Sequence, residues 1–423
     1  MPNVSIPTGE SPDSEPRLLT TLRDGLPELV DTPERLNDAI IALSNSSRPV
    51  GIDTERAQGY RYGSGAWLVQ LRRSDVGTFL IDPRPLPDLT SLGRELDSTW
   101  ILHAADQDLV ALAELGMAPK RIFDTEIAAR LLGFDRFSLR AVCERVLDVT
   151  LEKAHQNENW SVRPLPADWL RYAAMDVELL PELHERMEQQ LRTAGRWEWA
   201  REEFEHERTH PIVVRENRWE NLKGIGRLRT QKQLAIAREL WRRRESLAQE
   251  TDLAPTRILS NQGIIDAALA DPHTRRQLIS LPEFRRPRPR QYRDEWWNAL
   301  RRVQGLTAAE MPSRHDLDPD PNEVPALRHW KKNRPHAVQR LNALREIVAS
   351  TAKPLQIDPE ILLLPRLQRH LAWTPLSGGS EQYAREELQQ RLIAGEARRW
   401  QRDLLEEAFE EHPNLVQAMT QPD

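Results

Sequence analysis

Asp53 and Glu55 close the run Val50-Gly51-Ile52-Asp53-Thr54-Glu55, spaced so that two carboxylates on a strand share one face with Gly51, while Val50, Ile52 and Thr54 point to the core. Like charges this close repel, and a cation is the natural remedy. Further acids lie downstream. The stretch Ile101-Leu102-His103-Ala104-Ala105-Asp106-Gln107-Asp108-Leu109 offers two at a strand-to-helix junction: Asp106 is suited to capping the helix, and Asp108 can aim inward at the Asp53 strand end. In Tyr172-Ala173-Ala174-Met175-Asp176 the tyrosine and the acid are four apart, so on a helix they share a face across alanines that allow close approach. Asp53, Glu55, Asp108 and Asp176 together suit two divalent ions, Mg²⁺ or Mn²⁺, because hard oxygen ligands select these over zinc. Two such ions ~3.5–4 Å apart serve in-line hydrolysis of a phosphodiester, with the Tyr172 hydroxyl holding the attacking water. His103 is expected to pack or hydrogen-bond at its junction rather than to bind metal.

The elements that must position these groups follow from pattern. Thr32-Pro33-Glu34 starts a helix that runs to about Leu43. The Asp53 strand comes next, then strands over Ala66 to Leu71 and Thr78 to Ile81, the latter stopped by Asp82-Pro83, and a short buried strand at Trp100-Ile101-Leu102. Helices are expected from Asp106, from Asp124-Thr125 to about Leu132, over Ser138 to Leu147, and as one long helix from Ala167 to about Ala194. Strands first and helices interleaved afterwards indicate an α/β domain of about 200 residues.

At 423 residues the chain exceeds one ordinary domain. No apolar run approaches the ~18–20 residues a membrane helix needs, so a membrane span is not expected. Residues 1–16 lack a basic region followed by an apolar stretch, and so do not read as a secretory signal. The single cysteine, Cys143, excludes an intrachain disulfide and a cysteine-rich zinc site and fits a reducing cytoplasm. The net charge of -6 is uneven: residues 1–210 hold 24 basic and 36 acidic side chains, 211–305 hold 20 and 11, and 306–423 hold 15 and 18. A basic stretch between acidic ones points to a polyanionic partner for the middle segment. Its candidate phosphate contacts are Arg227, Arg229, Lys232, Arg242, Arg243 and Arg244. Tyr60 and Tyr62, in a glycine-bearing loop after Glu55, are candidates for stacking on a base.

From Arg218 onward only helical patterns occur, and one recurs at an offset of 104 residues. Val338, Leu341 and Leu344 take the places of Leu234, Ala237 and Leu240, and Ile357-Asp358-Pro359 that of Leu253-Ala254-Pro255. This reads as a divergent tandem repeat of a small helical module. Arg285 to Arg290 and Met311 to Pro325 read as linkers or extended loops.

On these residues the chain resembles the DEDD exonuclease superfamily, in its tyrosine-containing branch, and within it the bacterial ribonuclease D family. Ile52-Asp53-Thr54-Glu55 is similar to the first exonuclease motif, His103 to Leu109 to the second and Tyr172 to Asp176 to the third. Leu68-Val69-Gln70-Leu71, Ile81-Asp82-Pro83, Phe123-Asp124-Thr125, Leu151-Glu152-Lys153 through Trp160, and Arg163-Pro164-Leu165 echo the same family. The family's spacing after the histidine favours Asp108 over Asp106. Arg56 departs from the aromatic residue usual after the first motif's glutamate, and His155 to Glu158 departs from the family's Ser-rich wording. The basic segment resembles the HRDC module.

The resemblance implies an α/β ribonuclease H-like exonuclease domain with a mixed sheet flanked by helices, followed by two all-α HRDC-like helical modules. The expected division is a flexible tail over 1–28, the exonuclease domain over 29–210, the basic module over 211–305, a linker over 306–325 and a divergent second module over 326–423. It also implies a cytoplasmic, metal-dependent 3'-5' exoribonuclease acting on structured RNA such as tRNA precursors and releasing nucleoside 5'-monophosphates. A 3'-5' DNA exonuclease and a non-catalytic nucleic-acid tether are the alternatives. Oligomeric state stays open.

Overall fold

The computed structural model describes residues 15–422 except 153–154, 156–157, 211–217, 315–323, 326, 328–329 and 378–379. Lys153, the first half of the tail read over 1–28 and residues 315–323 of the 306–325 linker thus lie outside the described residues.

The first two hundred residues build a six-stranded mixed sheet with helices packed on it. A two-residue strand β1 (Arg17–Leu18) pairs in parallel with β8 (Val149–Thr150) apart from the main sheet. The main sheet has the order β2 (Leu29–Val30), β5 (Gly77–Ile81), β4 (Ala66–Arg73), β3 (Val50–Arg56), β6 (Trp100–Leu102), β7 (Ile122–Asp124). The centre, β3–β4–β5, is antiparallel, and β6 and β7 extend it in parallel from β3. Its helices are α1 (Pro33–Ser44), α2 (Thr90–Glu95), α3 (Asp106–Glu114), α4 (Thr125–Leu131), α5 (Leu139–Leu147), α6 (Ala167–Glu178), α7 (Leu180–Thr193) and α8 (Trp197–Thr209).

Local chemistry accounts for most of these boundaries. Thr32 caps α1 by accepting from the Arg35 amide, Asp124 caps α4 through Glu126 and Ile127, and Ser138 caps α5 through Ala141. The helix expected from Ala167 to Ala194 is two helices, because Pro181 cannot continue the ladder and the turn at Leu179 starts α7 afresh. The tail is also shorter than expected: Arg17 and Leu18 pair with β8, Leu19 is buried, and the Arg23 side chain reaches Glu182 at 2.7 Å. At Gly51, a β-carbon would meet the Leu180 Cβ at 2.9 Å, so the absence of a side chain lets α7 close on β3 beside the acid pair.

Among the described residues, helices alone follow. The basic segment forms α9 (Gln231–Thr251), α10 (Pro255–Ile258), α11 (Asn261–Ala270), α12 (Arg275–Ser280), α13 (Pro287–Gln291) and α14 (Arg293–Gln304) around its own core of Trp219, Leu234, Leu240, Ile264 and Trp296. The last segment forms α15 (Trp330–Asn333), α16 (Pro335–Leu355), α17 (Pro359–Leu362), α18 (Pro365–Trp373), α19 (Glu381–Ala394), α20 (Arg399–Glu411) and α21 (Pro413–Met419). α16, α17 and α18 each begin 104 residues after α9, α10 and α11, so the long helix, short helix and third helix recur in register.

The two helical segments attach differently. The last shares one continuous apolar core with the sheet unit, from Ile52 and Phe123 through Phe204 to Leu344, Ile361 and Trp400. Polar contacts reinforce it: Arg196 donates to the carbonyl of Leu131 at 2.6 Å, the Asp358 amide donates to the Arg130 carbonyl at 3.2 Å, and Arg130 pairs with Asp358. Gly133 makes the closest approach. A β-carbon there would lie 1.7 Å from the Gln356 carbonyl oxygen, and its φ of +75° is one that glycine adopts readily. The basic segment instead meets the sheet unit through the loop after β3.

Candidate active site

The strand β3 carries Asp53 and Glu55 on the face that α6 covers. Register proves the face: Asp53 opposes Gln70 and Gly51 opposes Arg72 across β3–β4, and Arg72 reaches Glu178 of α6 at 3.2 Å. α6 brings Tyr172 and Asp176 to the same side. Carboxylate oxygens of Asp53, Glu55 and Asp176 all lie within 4.8 Å of one another. None of the three has an ion pair among the described residues. Of the four acids expected to converge, these three form one cluster, and Tyr172 lies close enough to Asp176 for that charge to raise its phenol pKa.

Asp108 arrives differently. It lies in the first turn of α3, buried, and it accepts a 2.5 Å hydrogen bond from the Thr54 hydroxyl rather than joining the tight trio. It is still close enough that its charge pushes on Asp53 and Glu55. Thr54 was expected only as a core-facing residue; it is buried, and it also fixes the fourth carboxylate, a pairing no sequence spacing announces. Asp106 stays at the helix start, with its own oxygen accepting from the Gln107 amide at 2.7 Å, and Ala105 rather than Asp106 occupies the cap position. His103 keeps to the packing role: its Nδ1 sits 2.8 Å from the Thr125 hydroxyl, and burial pushes its pKa down.

The electrostatics are those of crowded, buried carboxylates. Burial raises the Asp53 and Glu55 pKa values well above the carboxylate range, with the neighbouring acids adding to the shift. Burial also lifts Asp176 to about 7, against the opposing hydrogen bond from Tyr172, and Asp108 to about 6, against the opposing Thr54 bond. The Tyr172 phenol is raised, first by burial and then by Asp176 and Glu55, so it stays protonated. Arg56 is the nearby cation that favours ionisation of Asp53, Glu55 and Asp108, but it does not offset burial. Four crowded oxygen donors with no neutralising partner fit divalent cations of the hard kind.

These shifts fix a pH dependence. In the absence of divalent ions, the folded state retains protons on Asp176 and Asp108 that the unfolded chain releases near pH 4. That contribution to stability is full below pH 4 and is lost as pH rises through about 6 to 7. Asp176→Asn, which mimics the protonated acid, should therefore raise the melting temperature in chelator at pH 8 and change it much less at pH 4. Saturating Mg²⁺ should abolish or reverse the gain at pH 8; an equal shift at both pH values would show that the carboxylate is not held in this state.

Gln70, in the stretch Leu68-Val69-Gln70-Leu71, is not among the candidate site residues read from the sequence. It faces the same side as Asp53, is fully buried, and neither its amide nitrogen nor its oxygen has a hydrogen-bond partner among the described residues. His155, at a φ of +55°, places its ring edge-on to Tyr172 with centroids 5.9 Å apart.

The candidate nucleic-acid contacts fare unevenly. Tyr60 and Tyr62 dock the basic segment instead of presenting open faces: Arg257 lies over the Tyr60 ring at 4.1 Å, the Ala254 amide donates to the Tyr60 carbonyl at 3.1 Å, and Gln249 donates to the Tyr62 hydroxyl at 2.8 Å. Arg244 is buried, holding Glu245 at 3.1 Å and Asn261 at 2.6 Å, so it is a core residue of the module and no surface grip. Lys232 pairs with Asp271 at 2.7 Å, Arg242 with Glu239 at 3.1 Å, and Arg243 with Glu250 and Glu295 at 2.8 and 3.0 Å. Arg227 and Arg229 are exposed, with no side-chain partner among the described residues.

Comparison with known proteins adds to the geometry. Residues 27–192 match the 3'-5' exonuclease family, 233–300 the HRDC domain and 323–412 the 3' to 5' exonuclease C-terminal domain. Ribonuclease D of Nitrobacter hamburgensis is 31% identical over 317 residues, covering 72% of this chain and 78% of its own. A protein of Bifidobacterium adolescentis superposes with a TM-score of 0.85 at 35% identity, over 96% of this chain and 100% of its own. RNase D of Escherichia coli, an exoribonuclease involved in structured RNA processing, has the same fold, with a TM-score of 0.65 at 22% identity over 87% of this chain and 98% of its own.

Proposed function

Because the chain belongs to the ribonuclease D family of 3'-5' exoribonucleases, we propose that it trims the 3' ends of structured RNAs such as tRNA precursors by hydrolysis at the carboxylate site. Asp53, Glu55, Asp108 and Asp176 hold two divalent ions, Mg²⁺ or Mn²⁺. When bound, these ions neutralise the four acids and the charge that develops on the phosphoryl oxygens. The observation that supports the reading is the convergence of Asp53, Glu55 and Asp176 within 4.8 Å beside a protonated Tyr172.

The protein's own groups do the positioning. Tyr172, on the helix face it shares with Asp176, presents the hydroxyl that orients the attacking water. Water adds at the terminal phosphorus, the bond to the 3' oxygen of the preceding nucleotide breaks, and a nucleoside 5'-monophosphate leaves a shortened 3'-hydroxyl end. Thr54 keeps Asp108 turned toward β3 through its 2.5 Å hydrogen bond. Gln70, buried opposite Asp53 with unpartnered amide atoms, adds a polar group beside the acids.

Among the basic-segment residues, Arg227 and Arg229 are the ones proposed to meet RNA phosphates. Arg227→Glu with Arg229→Glu should weaken binding of a 3'-extended tRNA at low salt and lower the slope of log affinity against log salt by roughly 1 per lost contact. A salt series by fluorescence anisotropy reads both, and an unchanged slope assigns the grip elsewhere. The polymer is tested by digesting that tRNA beside a single-stranded DNA of matched sequence, with Mg²⁺, Mn²⁺ or chelator. Preferential, metal-dependent shortening of the RNA is expected; equal digestion of DNA would replace the ribonuclease reading with a general exonuclease, and retention without digestion would favour a tether.

A further inference from the structure

A second group of ligand-type side chains, sharing no residue with the nuclease acids, meets where the end of α8 abuts the turn between α19 and α20. His206 and His210 are four residues apart, so their rings share one side of the helix end. They stack with centroids 4.4 Å apart and planes 22° from parallel. From the other segment, Glu396 reaches them out of a tight turn in which its own φ is +61°. Its Oε1 lies 3.9 Å from His210 Nε2, and one ligand atom from each of the three residues lies within 4.8 Å of the others.

The hydrogen bonds fix what these atoms offer. His210 Nδ1 is 3.1 Å from the His206 carbonyl oxygen and 2.9 Å from the Thr209 hydroxyl. A carbonyl only accepts, so Nδ1 carries the proton, and in the neutral ring Nε2 turns its lone pair toward the Glu396 carboxylate. A lone pair facing a carboxylate with no proton between them is an arrangement that a cation relieves. A backbone acceptor on the far ring nitrogen is also how proteins orient a histidine that binds metal. Arg398 does not compete for the carboxylate of Glu396, because it is engaged by Glu203 at 2.8 Å and by the Glu396 carbonyl at 3.0 Å.

We propose that His206, His210 and Glu396 bind one divalent ion of the zinc class, tying the exonuclease unit to the C-terminal helical segment. Two imidazoles and a carboxylate are a borderline donor set, which favours zinc over the hard ions that suit Asp53, Glu55 and Asp176. This site is independent of the nuclease chemistry, and its test separates the two.

The full chain, stripped with chelator and returned to excess Mg²⁺ so that the oxygen site is filled, is titrated with Zn²⁺ by calorimetry. The wild type should bind one zinc that is weakened at least about tenfold in His210→Gln and in Glu396→Gln, both exposed positions whose substitution leaves the core intact. Zinc should also raise the melting temperature of wild type and of Asp176→Asn, and fail to raise that of His210→Gln. Zinc binding of equal stoichiometry and affinity in wild type and His210→Gln would overturn the proposal. So would a zinc response that disappears in Asp176→Asn, since that would assign the ion to the nuclease site.

Discussion

Asp53→Asn should lower the rate of nucleotide release by on the order of 10³-fold, equivalent to about 4 kcal/mol of transition-state stabilisation, while RNA binding through the basic segment changes little. The asymmetry follows from location. Asp53 has a carboxylate oxygen within 4.8 Å of those of Glu55 and Asp176 and is pushed upon by Asp108, so under the proposed mechanism its loss removes a metal ligand from the cluster. Arg227 and Arg229 lie in a separately cored helical module and are untouched by the change. The substitution is nearly isosteric and removes a repelling charge, so the folded chain should tolerate it. Single-turnover digestion of a labelled 3'-extended tRNA beside an affinity measurement separates the two effects. Release at more than a tenth of the wild-type rate would move the chemistry to other residues.

The second large effect concerns the joint between the exonuclease unit and the last helices. Glu203 of α8 is buried and accepts from Arg398 Nε at 2.8 Å, from Trp400 Nε1 at 2.8 Å and from Gln401 Nε2 at 3.2 Å. Around it, Trp199 and Trp400 stack at 4.9 Å with planes 16° apart. Burial, with a smaller push from the Glu202 charge, raises the Glu203 pKa, and the Arg398 charge and the Arg398 and Trp400 hydrogen bonds oppose that. Glu203→Ala strips the shared acceptor and leaves a mostly buried guanidinium unpaired, which costs about 3–5 kcal/mol. Replacing both ends, as Glu203→Leu with Arg398→Met, should cost far less, because no charge is stranded. Thermal unfolding followed by limited proteolysis should show the C-terminal helices released early in the single variant, with the Trp296-centred module unshifted, since its core is separate. Equal losses in the single and double variants would mean that packing, and not the buried pair, holds the joint.

Much of this was legible where structure is local. The strand at Trp100-Ile101-Leu102 ends at the residues expected, and the strands expected from Ala66 and Thr78 differ only by a residue or two at their ends. A period of two set Asp53 and Glu55 on one face, and a four-residue spacing set Tyr172 over Asp176. Pattern reading alone could not rank these acids above any others; the family motifs did that. What stayed hidden depends on distant partners. Thr54 is an ordinary core-facing threonine until α3 sets Asp108 against it. Gln70 gains interest only once register puts it opposite Asp53. Tyr60 and Tyr62 read as exposed loop aromatics because nothing local says that Arg257 and Gln249 will cover them, and Arg244 read as surface charge although α9 turns it inward onto Asn261. The pairing of Arg17 and Leu18 with Val149 and Thr150 joins residues more than a hundred apart, beyond any window of local propensity.

The most direct test of the account is a crystal of the full chain soaked in Mn²⁺ and a nucleoside 5'-monophosphate, with anomalous differences recorded. The account predicts manganese bound among the Asp53, Glu55 and Asp176 carboxylates, with the nucleotide phosphate beside it and the Tyr172 hydroxyl facing the phosphorus. Saturating manganese with no anomalous peak at these carboxylates would contradict it.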